Sequence, residues 1–173
     1  LAEAGYADGF KMIIHGPNDR YINDAKVAEA LAQMFNRIGI EASVETMTKA
    51  VYFKRASRGG PNESPEFSFM LLGWGAGSGE ASSPLKALLH TYDKSKGMGA
   101  ANRGRHSDPR VDELIQKALA TVDSDARGKL LAEATEIAVG KNFGVIPVHY
   151  QQNTWASKKG YKYTPRTDER TIV

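Results

Sequence analysis

The sequence has 173 residues, enough for one sizeable domain, and its 41% hydrophobic and 25% charged residues are ordinary for a globular chain. It contains no cysteine, which excludes disulfides, thiol nucleophiles and thiolate metal sites. The net charge is +3, but 23 basic residues are mixed with 20 acidic ones, so no single-sign face for nucleic acid is expected, and no apolar run approaches the roughly 18 residues of a membrane span.

The opening residues LAEAGY read like the tail of a helix begun upstream, and the chain is expected to be part of a longer protein. Residues 10–15 alternate in polarity and predict a strand, broken by Gly16, Pro17 and Asn18. Val27, Leu31, Met34, Phe35 and Ile38 then fall on one helical face, with Asn23 or Asp24 as the cap. Gly39 is placed to end that helix in the left-handed region, and residues 40–47 predict a second strand. This β-α-β order favours a parallel pair.

A short helix is expected over 50–58, with Val51 and Arg55 one turn apart, followed by a surface loop to Pro65. Residues 67–72 (FSFMLL) form a continuous apolar run suited to a strand buried on both faces. That run empties into GWGAGSG, where four glycines surround one tryptophan. A helix with Pro84 in its first turn is expected to Tyr92. Asp108 and Pro109 supply a cap and first residue for a helix whose stripe is Val111, Leu114, Ile115, Ala118, Leu119 and Val122. Ser124 is expected to cap another, buried through Leu130, Leu131, Ala134, Ile137 and Ala138. Residues 143–150 and 152–156 read as extended. The fold class is α/β: a mostly parallel sheet flanked by helices, with a helical pair near the end.

The most informative segment for chemistry is 71–84 (LLGWGAGSGEASSP). Ligands in open α/β sheets sit beyond the carboxyl ends of the strands. Glycines such as Gly75 and Gly77 let a backbone approach a ligand closely, Trp74 offers a flat apolar wall with one donor, and Glu80 can pair with a cation. The same residues also suit a plain turn with Trp74 over the core edge and Glu80 in solvent. The glycines match neither a dinucleotide fingerprint nor a phosphate loop. His15, His90, His106 and His149 form no local ligand pair, so no metal site is expected, and His15 and His149 fall at strand ends. Ser78, Ser82 and Ser83 lie near Glu80 without a nucleophile elbow, so no catalytic residue is assigned. Residues 102–105 (NRGR) read either as guanidinium forks for an anionic ligand or as a solvated basic loop.

The order of these motifs resembles the C-terminal half of the family that binds peptides, nickel complexes and opines for ABC import. LAEAGYADGF, the helix AKVAEALAQMFNRIGI, the strand leading to Gly73–Trp74, NRGRHSDPRVDEL, and Ile146–Pro147 with Tyr150 are each similar to a family element, and they occur in family order. The resemblance implies a periplasmic-binding-protein-like class II lobe, here a single lobe over 1–173, with 158–173 leading towards the other lobe. It further implies a small-molecule or peptide ligand, an ABC permease as partner, no cofactor, a periplasmic location and a monomer. It places Trp74, Gly75, Gly77, Glu80 and Asn102 at the ligand. Dipeptide-binding members carry Gly-Asp-Pro after the Gly-Trp element; Gly79, Glu80 and Ala81 keep the carboxylate on a stem one methylene longer and lack the proline. A hydrolase pairing Glu80 with a distant histidine, and a ligand-sensing domain of a signalling protein, are the readings from other classes.

Overall fold

The computed structural model describes residues 1–77 and 79–166. Strand β1 (Lys11–Pro17), helix α1 (Asp24–Arg37) and strand β2 (Glu41–Met47) form the expected β-α-β unit, with β1 and β2 parallel from Lys11↔Glu41 to Pro17↔Met47. Gly16 and Pro17 do not break β1. The ring of Pro17 sits fully buried at the strand's last position, where its missing N–H costs no interior ladder bond. Gly39 adopts φ +90° as expected and turns the chain into β2.

The sheet is smaller than the sequence predicts. Among the described residues it has two strands, and residues 67–72 join it through one parallel bridge, His15↔Met70. The His15 amide donates to the Phe69 carbonyl at 3.0 Å, and the Leu71 amide donates to the His15 carbonyl at 2.8 Å. Phe67 is buried, whereas Phe69 to Leu72 are only half-buried, so the run is not covered on both faces. Residues 143–150 and 152–156 form no strand among the described residues: Phe143 is left-handed at φ 51°, residues 144–145 bend, and Phe143, Ile146 and Tyr150 stand in solvent.

Helix faces are also turned from those expected. Helix α1 buries Ala28 and Ala32, with Leu31 and Phe35 beside them, and leaves Met34 and Ile38 exposed. The alanines let the helix axis approach Ile14 of β1, and the larger side chains flank that line. Neither predicted cap acts by the usual geometry at the start of α1. Asn23 is left-handed, and the buried Asp24 carboxylate instead accepts from the amides of Arg20, Tyr21 and Ala25. Helix α2 (Lys49–Arg58) buries Tyr52 and Ala56, one residue on from the expected Val51 and Arg55 face. Tyr52 and Ala56 close over Phe67 to make a separate small core.

The third core is helical. A short turn α3 (Ser82–Pro84) runs into a π-helical turn (Leu85–Leu89), two residues earlier at its start than predicted and ending before His90. Helices α4 (Pro109–Ala120) and α5 (Ser124–Thr135) are the expected pair, and α5 continues into a π-helical turn (Glu136–Lys141). Asp108 caps α4 as predicted, accepting from the amides of Arg110 and Val111 at 2.8 and 3.2 Å. Asp123, not Ser124, caps α5 by accepting from the Ala126 amide at 2.8 Å; Ser124 is the first helical residue. Leu114, Ile115 and Ala118 pack on Leu85, Leu89, Leu131 and Ala138, while Leu119, in the last turn of α4, and Val122, beyond its end, are exposed.

Tyr52 ties the strand region to α2. It is fully buried, and its hydroxyl donates to the Leu71 carbonyl at 2.7 Å. Burial pushes its phenol well above the usual tyrosine range, so it stays a donor throughout the physiological range. Tyr52→Phe removes one buried bond and leaves the Leu71 carbonyl unpaired. A loss of about 1 kcal/mol is expected in denaturant melts of the complete protein; an unchanged midpoint would show that this bond does not hold the strand.

Candidate functional site

The carboxyl ends of β1 and of the 67–72 segment open on one side of the sheet, where the residues that follow each strand meet. After β1 the chain passes through Arg20 and Tyr21; after Leu72 it passes through Gly73, Trp74 and Gly75. Together with Phe53 of α2 and Arg103, these residues line a cavity of about 320 Å³. Its position is the one elementary α/β topology assigns to ligands.

Each wall has a local cause. The Tyr21 hydroxyl donates to the Gly73 carbonyl at 3.2 Å, joining the two strand exits. A Cβ on Gly73 would come within 2.7 Å of the Tyr21 ring, so glycine is required for that approach. Arg20 lies over the Tyr21 ring, its guanidinium carbon 5.2 Å from the centroid. Arg103 lies over Phe53 at 5.5 Å, and its Nε donates to the Ser57 hydroxyl at 3.1 Å. Trp74 is 46% exposed, with its indole at the rim of the cavity.

The structure separates the residues singled out from the sequence. Trp74 and Gly75 share the cavity just described. Glu80 does not; it lines a second, open depression of about 750 Å³ along α5 with Arg127 and Leu131. Its carboxylate accepts from the Ser82 hydroxyl and from Arg127 Nε at 3.0 Å. The Ser82 hydroxyl, and then Arg127, hold the Glu80 carboxyl below the usual carboxylate range. Gly77 lines neither depression, and a Cβ there would meet nothing within 4 Å. Ser78 lies outside the described residues.

Asn102 is buried and faces protein. Its amide nitrogen donates to the carbonyls of His90 and His106 at 3.0 and 2.7 Å, and its Oδ1 accepts from the His106 amide at 3.0 Å. These bonds set the path of the loop that delivers Arg103 to the cavity. His90 and His106 belong to the same framework. His106 Nδ1 meets the Leu89 carbonyl at 2.6 Å, and His90 Nε2 meets the Gln116 amide at 3.0 Å. His15 lies inside β1, not at its end, stacked on Phe67 at 4.1 Å, and His149 is exposed outside any strand. Among the described residues no group of three His, Cys, Asp or Glu is placed to hold a metal, and no helix is long and apolar enough to cross a membrane.

Sequence reading missed Arg20, Tyr21 and Phe53. The available signal was their position just past the β1 breaker and on the α2 flank, but only the fold shows that both places adjoin Gly73. Arg103 was visible within NRGR, where the cavity-facing and solvated readings were undecided.

The family model described as "Bacterial extracellular solute-binding proteins, family 5 Middle" matches residues 1–96. Heme-binding protein A of Haemophilus influenzae is 29% identical over 154 residues, covering 86% of this chain and 26% of the relative. Di/tripeptide-binding protein 1 of Pseudomonas aeruginosa is 31% identical over 140 residues, covering 79% of this chain and 24% of the relative. Among solved structures, the ABC transporter-associated periplasmic binding protein DppA of Helicobacter pylori in complex with peptide STSA superposes with a TM-score of 0.69. It is 25% identical, with coverage of 83% of this chain and 26% of that one. The chain thus spans about a quarter of the length of the relatives it matches.

Asn102→Ala leaves two carbonyls and one amide short of a partner in a buried place. A loss of roughly 2 kcal/mol is expected, measured by thermal and denaturant unfolding of the complete protein. A loss within about 0.5 kcal/mol, as for an ordinary surface change, would remove Asn102 from the framework that holds Arg103.

Proposed function

The chain belongs to the bacterial extracellular solute-binding proteins of family 5, and from that premise we propose that the complete protein is the substrate-capturing component of an ABC importer. The family is one of solute binders, not enzymes. In this reading the protein works outside the cytoplasmic membrane, in the periplasm, as a monomer. It holds a peptide or a related small solute between two lobes and presents it to a membrane permease.

The observation that carries the reading is the cavity at the strand exits. Trp74, Tyr21 and Phe53 supply rigid aromatic walls, the Gly73–Gly75 backbone is open to a ligand, and two guanidinium groups stand at its edge. The lining is more polar than apolar, with aromatic faces beside open backbone and guanidinium groups, which suits a solute that is itself polar, such as a peptide. The cavity is open on one side. A second lobe closing over it would exclude water and strengthen every polar contact inside. A peptide is the first ligand proposed, since one relative is named for di- and tripeptides and one similar structure holds a peptide. Glu80 is proposed as a further contact at the far end of the same glycine loop. Its carboxylate is kept ionised by its neighbours, and a ligand amine would share it with Arg127. Gly77 lies between the two and gives the loop its open backbone.

Calorimetric titration of the complete protein with di- and tripeptides, and with heme because one relative is named for it, tests the proposal. Saturable binding of one class, with the ligand recovered intact, supports it. No binding across the panel, or turnover of the peptide, sinks it; turnover would favour the hydrolase.

Two substitutions test the residue roles. Trp74→Ala is expected to weaken the bound ligand by roughly 30-fold, the scale of a buried aromatic contact; equal affinity would remove Trp74 from the wall. Glu80→Gln is expected to weaken amine-bearing peptides and to spare their N-acetylated forms. A uniform effect on both would make Glu80 a brace for the loop, and no effect would take it out of the site.

A further inference from the structure

The glycine loop that carries Trp74 is tied at its two ends. At the first, the Tyr21 hydroxyl donates to the Gly73 carbonyl. At the second, the Glu80 carboxylate accepts from the Ser82 hydroxyl and from Nε of Arg127 at 3.0 Å. Among the described residues between these ties the one backbone bond is local, from the Gly79 amide to the Ala76 carbonyl at 2.8 Å. A Cβ on Gly77 or Gly79 would meet nothing within 4 Å, so no packing neighbour directs either residue. Gly79 turns the chain in the left-handed region, φ +75°, immediately before Glu80. The path of the loop is therefore set by its end ties.

Arg127 is itself held in place. It stands near the start of α5, and its Nη1 donates to the Thr121 carbonyl at 3.3 Å, at the C-terminal end of α4. A helix C-terminus presents unpaired carbonyls and partial negative charge, which suit a guanidinium. One planar fork thus takes the end of α4 with one nitrogen and the end of the glycine loop with another. Arg127 lies in the open depression along α5 and is not part of the Trp74 cavity. Arg127 and Glu80 are each about a third exposed, so their pairing adds little to overall stability. A charge-assisted bond of fixed geometry in such a place acts instead by choosing among arrangements of the loop.

We propose that Arg127 is a positioning residue for solute capture: acting through Glu80, it keeps the glycine loop in the arrangement that sets Trp74 at the cavity, without itself touching the solute. A loop rich in glycine has many arrangements open to it, and a solute that must find one of them binds more weakly by the fraction in which that one is present. Removing Arg127 lowers this fraction in the free protein. The loss falls on the association rate, because a bound solute holds the loop by its own contacts and leaves at nearly the same rate. Loss of a direct contact gives the opposite split, with the change in dissociation. This inference rests on the solute-binding reading above.

The test uses the complete protein as wild type, Arg127→Met, Arg127→Lys, Glu80→Gln and the Arg127→Met/Glu80→Gln double variant. Stopped-flow measurements give association and dissociation rates for alanyl-phenylalanine, its N-acetyl form and heme, whichever the wild type binds. Fluorine NMR of 5-fluorotryptophan-labelled protein without solute reports on the Trp74 ring, its resonance assigned with Trp74→Phe. The expected result in Arg127→Met is association slowed about 3- to 5-fold, the scale of one part-exposed ion pair, with dissociation nearly unchanged and the Trp74 resonance shifted or broadened. Arg127→Lys recovers part of the rate, and Arg127→Met adds no further loss once Glu80→Gln is present. Unchanged association, an unmoved Trp74 resonance, or a loss confined to dissociation overturns the positioning role while leaving the protein a solute binder. Tighter binding of the free-amine peptide by Arg127→Met also overturns it, since Arg127 would then be a competitor for Glu80. Should Arg127→Met not fold, Arg127→Gln is read against the same outcomes. No binding of any probe by the wild type removes the solute-binding reading itself, and the role of Arg127 with it.

Discussion

The architecture around the cavity depends on how Leu71 is held. Strand pairing beside β1 amounts to a single bridge there, too short to fix a chain exit by itself. The Leu71 amide is bound by the His15 carbonyl, and its carbonyl is bound by the buried Tyr52 hydroxyl. One side chain of α2 thus replaces the next rung of a ladder. The glycine loop leaves from that point, so the positions of Gly73 and Trp74 follow from it, as does the meeting of Gly73 with Tyr21. A buried neutral hydroxyl suits this task because burial itself keeps it protonated.

Charged contacts contribute differently according to place. Arg55 bridges Glu45 and Glu66 and lowers both carboxyls from their ordinary range through its hydrogen bonds. These groups are partly exposed to solvent, where such pairs add little to stability and chiefly fix local geometry. Glu80 and Arg127 act likewise between the glycine loop and α5. The Asn102 cluster is the opposite case. It is small, uncharged at its centre and buried, and every bond in it orders backbone. It joins the helical core to the cavity, because the same loop that closes over His90 carries Arg103 to Phe53.

The three small cores explain how the parts fit together. Ile14 with Ala28 and Ala32 holds α1 to β1; Tyr52, Ala56 and Phe67 hold α2 to the third segment; and Leu85 to Ala138 hold the helical group. The cavity lies where the first two adjoin and where a loop of the third reaches across. Its walls therefore come from four stretches far apart in sequence, each rigid for its own local reason.

Short-range physics determined much of this from sequence alone. Periodicity placed α1, α2, α4 and α5; Gly39 ended α1, and Asp108 with Pro109 began α4, because these depend on a few adjacent residues. The glycine loop with Trp74 after an apolar run was legible for the same reason, as was the family's order of motifs. Pairing and facing were not. Whether 67–72 or 143–150 finds a strand partner depends on residues distant in the chain, and the rotation of α1 towards Ala28 and Ala32 was set by how closely the helix could approach Ile14. The sequence did not show that Glu80 would turn to Arg127 and Ser82, or that Asn102 would be spent on backbone. Nor did it show that Arg20 and Arg103 would share one cavity with Trp74. Those outcomes are contacts between segments, and only the tertiary structure decides which segments meet.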